Sequence, residues 1–394
     1  MKIRNIITAL LLSVSFTAAA AASQTAAVGT EPPSLNVNAK AALLMEPATG
    51  SVLLAQNPHE KLAPASVTKI MTMLLIYEAV ADGKIKWDDS VTISEHAAGM
   101  GGSQVYLAAM ERQPVRELLK SIVIASANDS AVAMAEFIAG SEEGFVLMMN
   151  RRAKELGMAD TNFVNACGLD AGGHLTSAYD IALMTRELIN KFPEVFEYTG
   201  IWLDKIVHKL ARGDEETELA NTNRLIRAYS GATGLKTGST SGALYCISAT
   251  AKRDGMQLIS VVLGAPESMV RFDEAKKMFD YGFANYALTL GEPANTPKGS
   301  VKIYKGDVLQ TDVMIKNQVY CLVQKGKNQA LESKVEMAGY ISAPAEKGAK
   351  AGEIVYYYEG NEVGRSDLIT VESVKRASLK NMLDRVVKGW FSFS

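Results

Sequence analysis

The sequence predicts a large α+β domain with a central antiparallel sheet flanked by helices, then a small all-β domain and a C-terminal amphipathic helix. Strand patterns lie near both ends of the large domain, around residues 41–55 and 235–263, and helical patterns lie between them. Strands from the two ends of a domain pair into a mainly antiparallel sheet, which the intervening helices cover. From about residue 297, short alternating strands are separated by Gly, Asn and Lys, which is typical of a separate all-β unit.

The composition limits the classes of function. The chain has 394 residues, 48% of them hydrophobic, and a formal net charge of −2. A chain of this size can bury a large core and divide into two domains, and its near-neutral charge argues against a general nucleic-acid binder. Cys167, Cys246 and Cys321 are too few for a disulfide scaffold. We predict three buried free thiols, with a single bridge as the open alternative.

The first residues resemble an export signal. Lys2 and Arg4 precede an apolar run over residues 6–16 and a small-residue stretch over residues 18–23. This order is typical of a secretory signal peptide, and the apolar run is too short to span a membrane. We therefore predict that residues 1–23 are a signal peptide and that the mature protein acts outside the cytoplasm.

Two strands and a buried helix begin the large domain. Apolar runs over residues 41–45 and 51–55 flank a turn rich in Pro and Gly, which predicts a β-hairpin. Residues 70–80 then contain almost no polar side chain, so we predict a helix that is buried on all sides. Gly83 is expected to end it.

Helices fill the middle of the domain and strands close it. A helix that begins at Pro114 is expected to end at residues 125–128, and Asp129 is expected to cap the next helix. Ser126 and Asn128 then lie on a tight connection, from which side chains can project into a cleft. Further helices are predicted over residues 145–156, 179–189 and 271–281, and strands over residues 235–238, 244–251 and 258–263, the last two joined by an Asp-Gly turn.

Ser66 stands at the start of the buried helix, three residues before Lys69. Unpaired backbone N–H groups and the helix dipole stabilise negative charge at this position. Lys69 shares a helix face with Ser66, and a desolvated amine beside a hydroxyl can act as a base. The pair could make Ser66 a nucleophile without a histidine. The tetrapeptide alone leaves open an N-cap serine beside a solvated lysine.

Three short motifs occur in one order: Ser66-Val-Thr-Lys69, Ser126-Ala-Asn128 and Lys236-Thr-Gly238. Each is weak alone, and together they are typical of serine acyl-transfer enzymes. With the sequences around them, and with the stretch at residues 149–158, the chain resembles the D-alanyl-D-alanine carboxypeptidases, the low-molecular-mass penicillin-binding proteins of peptidase family S11. The resemblance covers nearly all of the mature chain.

The resemblance implies a serine transpeptidase/β-lactamase-like catalytic domain over residues 35–290, a small all-β domain over 297–373 and a membrane-anchoring helix over 374–394. It implies an enzyme of peptidoglycan biosynthesis that removes the terminal D-alanine from pentapeptide stems. It also implies covalent inhibition by β-lactam antibiotics. No cofactor, metal or nucleic acid is expected.

The resemblance also assigns roles to the motif residues. Ser66 would be the acylated nucleophile and Lys69 its base. Ser126 would relay a proton to the leaving group, and Asn128 would hold the substrate backbone and the Lys69 side chain.

The third motif would bind the end of the substrate. Lys236 and Thr237 would contact its terminal carboxylate, while Gly238 would allow close approach along the strand. The backbone N–H groups of Ser66 and Ser239 would form the oxyanion hole.

The C-terminal residues form a basic amphipathic pattern. The apolar positions with helical spacing are Leu379, Met382, Leu383, Val386, Val387 and Trp390. Lysine and arginine occupy other positions, which suits a helix lying in a membrane surface. We predict a peripheral protein on the outer face of the cytoplasmic membrane. The open alternative is a helix docked on its own β domain.

Two other functions compete with the carboxypeptidase. A class A-like β-lactamase would need a deacylating glutamate, yet residues 161–174 contain none, and Ala127 stands where those enzymes have aspartate. A non-catalytic penicillin-sensing or wall-binding protein would usually have lost a polar group from the motifs.

The other polar residues are expected to have structural roles. The four histidines lack metal-ligand spacing and are expected on the surface or in loops, with His174 the one placed to shape the cleft. Asp129 and Glu111 are expected to be caps or solvated charges.

Overall fold

The computed structural model describes residues 36–210, 213–327, 330–383 and 385. The predicted signal peptide lies outside this part of the chain, and so do residue 384 and residues 386–394 of the predicted membrane helix. Within it, no helix combines the length and the apolar character needed to cross a membrane.

The large domain is built from nine strands and nine helices, counted over the described residues. The strands are β1 (Ala41–Glu46), β2 (Ser51–Gln56), β3 (Ser90–Thr92), β4 (Arg112–Pro114), β5 (Leu203–Leu210), β6 (Gly213–Ala220), β7 (Ala232–Thr240), β8 (Leu244–Arg253) and β9 (Met256–Ala265). The helices are α1 (Lys69–Ala81), α2 (Glu95–Ala98), α3 (Val115–Ile124), α4 (Asn128–Ala139), α5 (Glu142–Glu155), α6 (Ala178–Lys191), α7 (Phe196–Thr199), α8 (Leu225–Ala228) and α9 (Val270–Asn285).

A five-stranded antiparallel sheet forms the centre of this domain, in the order β2-β1-β9-β8-β7. Both of its faces are covered. Alternate residues of β1 enter two different cores: Leu43 packs with α1 and the other central helices, while Leu44 packs with α9. The predicted α+β architecture is confirmed. β7 lies at one edge of the sheet, which leaves one side of its backbone unpaired by another strand of that sheet.

Helix α1 is buried along nearly its whole length, as its apolar sequence predicts. A 3₁₀ turn over Ala65–Thr68 precedes it and carries Ser66. Pro64 is the N-cap of that turn, and Lys69 is the first residue of α1. The serine therefore lies just before the regular helix, and the lysine lies just inside it.

One local prediction was wrong, and one hairpin was not predicted. Helix α4 begins at Asn128 with Ala127 as its N-cap, so Asp129 is not a cap. The Asp129 carboxylate is buried and accepts hydrogen bonds from the backbone N–H groups of Val105 and Leu107. The hairpin β5–β6 was not predicted, because β6 is mostly exposed, carries four acidic residues and gives no apolar alternation.

The small domain contains the remaining strands. They are β10 (Tyr286–Leu290), β11 (Pro297–Tyr304), β12 (Gln310–Ile315), β13 (Tyr320–Gln324), β14 (Glu332–Met337), β15 (Ile341–Ser342), β16 (Lys350–Tyr358) and β17 (Asn361–Thr370). Six of them form a sheet in the order β14-β16-β17-β12-β11-β15, and β10 pairs with β13. Since β10 directly follows α9, this pairing joins the small domain to the end of the large one.

Candidate active site

The Lys69 amine is the point where three distant segments of the chain meet. Its Nζ lies 3.1 Å from Ser66 Oγ, 2.6 Å from Asn128 Oδ1 and 2.7 Å from the backbone oxygen of Cys167. The side chain is fully buried. Burial lowers the pKa of this amine to about 8, against the opposing influence of Cys167 and Asp129.

These contacts can be made by the ammonium, with its three N–H donors, and also by the neutral amine. A neutral amine has two N–H donors and one lone pair, and the oxygens of Asn128 and Cys167 can each accept one of the donors. The lone pair is then left for the hydroxyl hydrogen of Ser66. The arrangement thus provides a base within hydrogen-bond distance of the candidate nucleophile.

The pKa of Lys69 leads to a prediction about pH. If the neutral amine is the base, acylation by benzylpenicillin should slow about tenfold per pH unit below about pH 8 and level off above it. The reason is that protonation of Nζ removes the lone pair. The measurement is the second-order acylation rate constant from about pH 6 to about pH 9, with the melting temperature as a control at each pH. A constant rate below about pH 8 would contradict this assignment.

A second buried amine lies beside Ser126. Lys236 Nζ donates to Ser126 Oγ at 2.8 Å and to the backbone oxygen of Thr237 at 3.0 Å. Burial, with smaller contributions from the charges of Lys69 and Arg271, lowers the pKa of Lys236 well below its usual value. A carboxylate brought next to this amine would favour its charged form. Ser126 itself has a φ of 62°, a sparsely populated conformation of the kind that clusters at functional sites.

Strand β7 approaches the Ser66 turn closely because residue 238 is glycine. A Cβ on Gly238 would lie 2.8 Å from the Ser66 backbone nitrogen. The preceding side chain, Thr237, has its Oγ1 2.6 Å from that of Thr222, and Ser239 is exposed on the same strand. The strand residues of the third motif therefore lie beside the start of α1.

Arg271 supports this strand from α9 and was not identified from the sequence. Its Nη1 donates to the backbone oxygen of Gly238 at 2.9 Å and to that of Cys246 at 3.3 Å. The guanidinium is mostly buried and adds positive charge below the strand. A lone arginine in a helix gives no sequence signal for such a contact.

The loop over residues 165–170 points the Cys167 carbonyl at Lys69. Asn165 Oδ1 accepts from the backbone N–H of Gly168 at 2.7 Å. The backbone oxygen of Ala166 accepts from Thr72 Oγ1, and the backbone N–H of Ala166 donates to the Glu142 carboxylate. These contacts fix the peptide that ends at the Cys167 carbonyl, a group the sequence analysis did not assign to the site.

Gly168 is the glycine of this loop at which an added side chain would clash most severely. Its φ is +87°, and a Cβ there would lie 1.9 Å from the backbone oxygen of Ala65. We expect Gly168→Ala to lower the acylation rate at least about a hundredfold, because displacement of the loop moves the Cys167 carbonyl from Lys69. Gly172→Ala, two residues beyond this loop, is the matched control, since a Cβ there has nothing within 4 Å. Acylation rates and melting temperatures of both variants check this, and near-parental activity of Gly168→Ala would refute it.

The histidines divide into two cases. His174 lies in a loop, as expected: Val164 N–H donates to its Nδ1, and its Nε2 lies 2.8 Å from Thr68 Oγ1. Burial lowers the pKa of His174 to about 4, so the ring is neutral and Nε2 carries the hydrogen. For His208 the expectation was wrong, because it is buried with its Nδ1 2.9 Å from Glu111 Oε1. Glu111 is therefore not a solvated charge either.

The cysteines form no disulfide bond in the structure. All three cysteines are buried free thiols, which confirms that prediction. Over the described ranges, no group of three or more His, Cys, Asp or Glu side chains could hold a metal ion.

Two family comparisons cover most of the chain. The family described as D-alanyl-D-alanine carboxypeptidase matches residues 25–267. The family described as penicillin-binding protein 5, C-terminal domain, matches residues 292–376. The two matches correspond to the large domain and the small β domain.

The chain is also similar to individual carboxypeptidases and penicillin-binding proteins. The D-alanyl-D-alanine carboxypeptidase DacF of Bacillus subtilis is 43% identical over 356 residues, 90% of each chain. The structure of penicillin-binding protein 5 from Haemophilus influenzae superposes with a TM-score of 0.76 at 30% identity, over 88% of this chain and 100% of that one. Penicillin-binding protein D2 of Listeria monocytogenes, in its ampicillin-bound form, has a TM-score of 0.53 at 33% identity, over 64% of this chain and 99% of its own.

Proposed function

The chain belongs to the D-alanyl-D-alanine carboxypeptidase family of serine peptidases, and we propose that it removes the terminal D-alanine of peptidoglycan stems through an acyl-enzyme on Ser66. The observation that carries this assignment is the buried Lys69 amine, whose Nζ lies 3.1 Å from Ser66 Oγ with its remaining contacts on two carbonyl oxygens. The reaction class itself follows from the family.

Acylation would begin when Lys69 Nζ takes the proton of Ser66 Oγ. The oxygen attacks the carbonyl carbon of the penultimate D-alanine, and a tetrahedral intermediate forms. The backbone N–H groups of Ser66 and Ser239 would stabilise its oxyanion, a contribution of about 3 kcal/mol per donor. The C–N bond then breaks, and the proton held by Lys69 passes through Ser126 Oγ to the nitrogen of the leaving D-alanine.

Deacylation would use the same groups in reverse order. A water molecule loses a proton to Lys69 and attacks the ester carbon. The bond between carbon and Ser66 Oγ then breaks, the oxygen recovers a proton, and the shortened stem leaves with a new carboxylate. Atoms and charges balance without a cofactor.

The free carboxylate of the substrate would bind at Lys236 and Thr237, in the positive field to which Arg271 contributes. The peptide would extend along β7, because an edge strand offers backbone groups to an added strand. Asn128 would hold the substrate backbone through its amide, whose Oδ1 already accepts from Lys69 and whose Nδ2 donates to the Gly101 oxygen.

The β-lactamase alternative receives no support from the loop near Lys69. Its one carboxylate, on Asp170, accepts from Thr240 Oγ1 at 2.6 Å and from the Gly242 N–H at 3.1 Å. These contacts direct Asp170 to the end of β7, and the loop contains no glutamate to activate a deacylating water.

The proposal extends to the place of action. Residues 1–23 would direct export, and residues 374–394 would hold the mature enzyme on the outer face of the cytoplasmic membrane. The support is the sequence pattern: a short apolar run after two cations at one end, and a basic amphipathic helix at the other.

The test of the activity is D-alanine release from a synthetic acyl-L-Lys-D-Ala-D-Ala peptide by the mature protein. The matched control peptide ends in L-alanine and should not be cleaved. Benzylpenicillin should form a long-lived acyl-enzyme with little turnover. Rapid penicillin hydrolysis without D-alanine release would indicate the β-lactamase. Inertness toward both compounds would indicate the non-catalytic penicillin-sensing or wall-binding protein.

A further inference from the structure

The turn between β11 and β12 exposes apolar side chains at one end of the small domain. Val308 and Leu309 lie in this turn, and Leu309 is 66% exposed. The exposed rings of Tyr304 and Tyr340 lie beside it, with their centroids 5.8 Å apart. We call these four residues the distal patch. Apolar side chains exposed together on a soluble domain usually mark an interaction surface.

The distal patch is fixed to the chain that leads into the C-terminal helix. The Asp307 N–H donates to the Lys375 oxygen at 2.8 Å, and the Ala377 N–H donates to the Lys305 oxygen at 2.9 Å. Arg385 Nη2 donates to the Asp307 oxygen at 2.7 Å. The patch and the start of that helix therefore lie at the same end of the domain and are held together by backbone contacts.

The helix start exposes apolar side chains of its own. Residues 379–383 are helical, Leu379 is 80% exposed, and Leu383 is also exposed. A helix lying in a membrane surface from residue 379 onward would bring the turn at residues 305–309 to the same surface. No long linker separates the two, since the contacts to Lys375 and Ala377 lie within four residues of Leu379.

The charges around the distal patch favour an anionic surface. Lys305 Nζ lies 5.0 Å from the centre of the Tyr304 ring. The exposed basic side chains of this end are Lys302, Lys305, Lys375, Arg376 and Lys380. Asp307, the acidic residue of the turn, accepts from the Val308 N–H. Tyrosines beside lysines are typical of residues at the interface between a membrane and water, and each cation near an anionic bilayer adds attraction.

We propose that the distal patch inserts into the head-group region of an anionic lipid bilayer beside the C-terminal helix. The enzyme would then be held at two points of a rigid domain and would present its catalytic domain in a defined orientation. This inference rests on the proposed membrane association. The competing occupant of the patch is the chain's own segment 386–394. That segment carries Lys388, and the basic side chains around the patch would repel its charge.

The test compares vesicle binding of the mature full-length protein and two variants. The vesicles contain phosphatidylglycerol and phosphatidylethanolamine, with phosphatidylcholine vesicles as the uncharged comparison. We expect the double variant Val308→Asp/Leu309→Asp to bind the anionic vesicles at least about tenfold more weakly, because charges replace inserted apolar groups. Leu147→Asp is the matched control: Leu147 is 73% exposed on α5, in the other domain, and its change should leave binding unaltered. D-alanine release from the soluble peptide should be unchanged in both.

The outcomes distinguish the membrane association of the protein from the insertion of the distal patch. If the parent protein binds neither kind of vesicle, the membrane association itself is wrong, and the inference falls with it. If the parent binds and the double variant binds equally well, the C-terminal helix acts alone and the patch proposal is overturned. Stronger binding by the double variant would mean that the patch normally covers the tail, which also overturns it.

A direct contact measurement supplements the binding comparison. A polarity-sensitive fluorophore attached to Leu309→Cys should shift to the blue on anionic vesicles, while the same label on Leu147→Cys should not. The three native thiols are buried, so the introduced cysteine is the accessible one. No shift at position 309 in a protein that binds would overturn the proposal.

Discussion

Ser66→Ala is expected to lower kcat/KM for D-alanine release at least about ten-thousandfold while the melting temperature stays close to that of the parent. The loss follows from removal of Ser66 Oγ, the atom that forms the acyl bond in the proposed mechanism. The fold should survive because Ser66 lies in a 3₁₀ turn and is partly exposed, so its hydroxyl is not needed for packing.

Ser130→Ala is the matched control for this prediction. Ser130 lies on α4, is fully buried, and its Oγ has no hydrogen-bond partner in the described part of the chain. Removing that hydroxyl should leave kcat/KM nearly unchanged. Activity of Ser66→Ala within about tenfold of the parent would contradict the assignment of the nucleophile.

Lys69→Met is expected to lower acylation by both peptide and penicillin at least about a thousandfold. Methionine nearly fills the volume of lysine but has no base, and it leaves the oxygens of Asn128 and Cys167 without their donor. Both substrates should be affected equally, because the proton of Ser66 must be removed in either reaction.

The variant Lys69→Arg distinguishes two roles of Lys69, that of a proton acceptor and that of a positive charge. Arginine keeps a cation and donors at this position but cannot lose a proton near neutral pH. A loss as large as that of Lys69→Met would indicate a proton acceptor. Activity within about tenfold of the parent would mean that Lys69 acts through its positive charge, and the proton-transfer step above would be wrong.

Much of the fold could be predicted from sequence patterns that have a strong local cause. The apolar run after Lys69 predicts α1 because nearly every side chain of that helix is buried. The Asp-Gly turn at residues 254–255 predicts the β8–β9 hairpin because this dipeptide suits the turn geometry. The motif residues were chosen from the order of the three motifs and from the resemblance to serine acyl-transfer enzymes, and the roles assigned to them stay predictions.

Contacts made by backbone groups could not be predicted in this way. The Cys167 carbonyl that binds Lys69 has no side-chain signature, and its position depends on Asn165 and on the left-handed conformation of Gly168. Burial of the Asp129 and Glu111 carboxylates likewise depends on N–H groups and a histidine from distant segments. Such partners are fixed only by the tertiary structure.

Mapping of the benzylpenicillin adduct tests the central claim most directly. Cleavage after Lys61 and Lys69 releases the peptide 62–69, in which Ser66 and Thr68 carry the hydroxyls. Mass spectrometry is expected to find the intact drug on Ser66, stable over the time needed for digestion, and no adduct in Ser66→Ala. An adduct on another residue, or penicillin hydrolysis that continues in Ser66→Ala, would contradict the account.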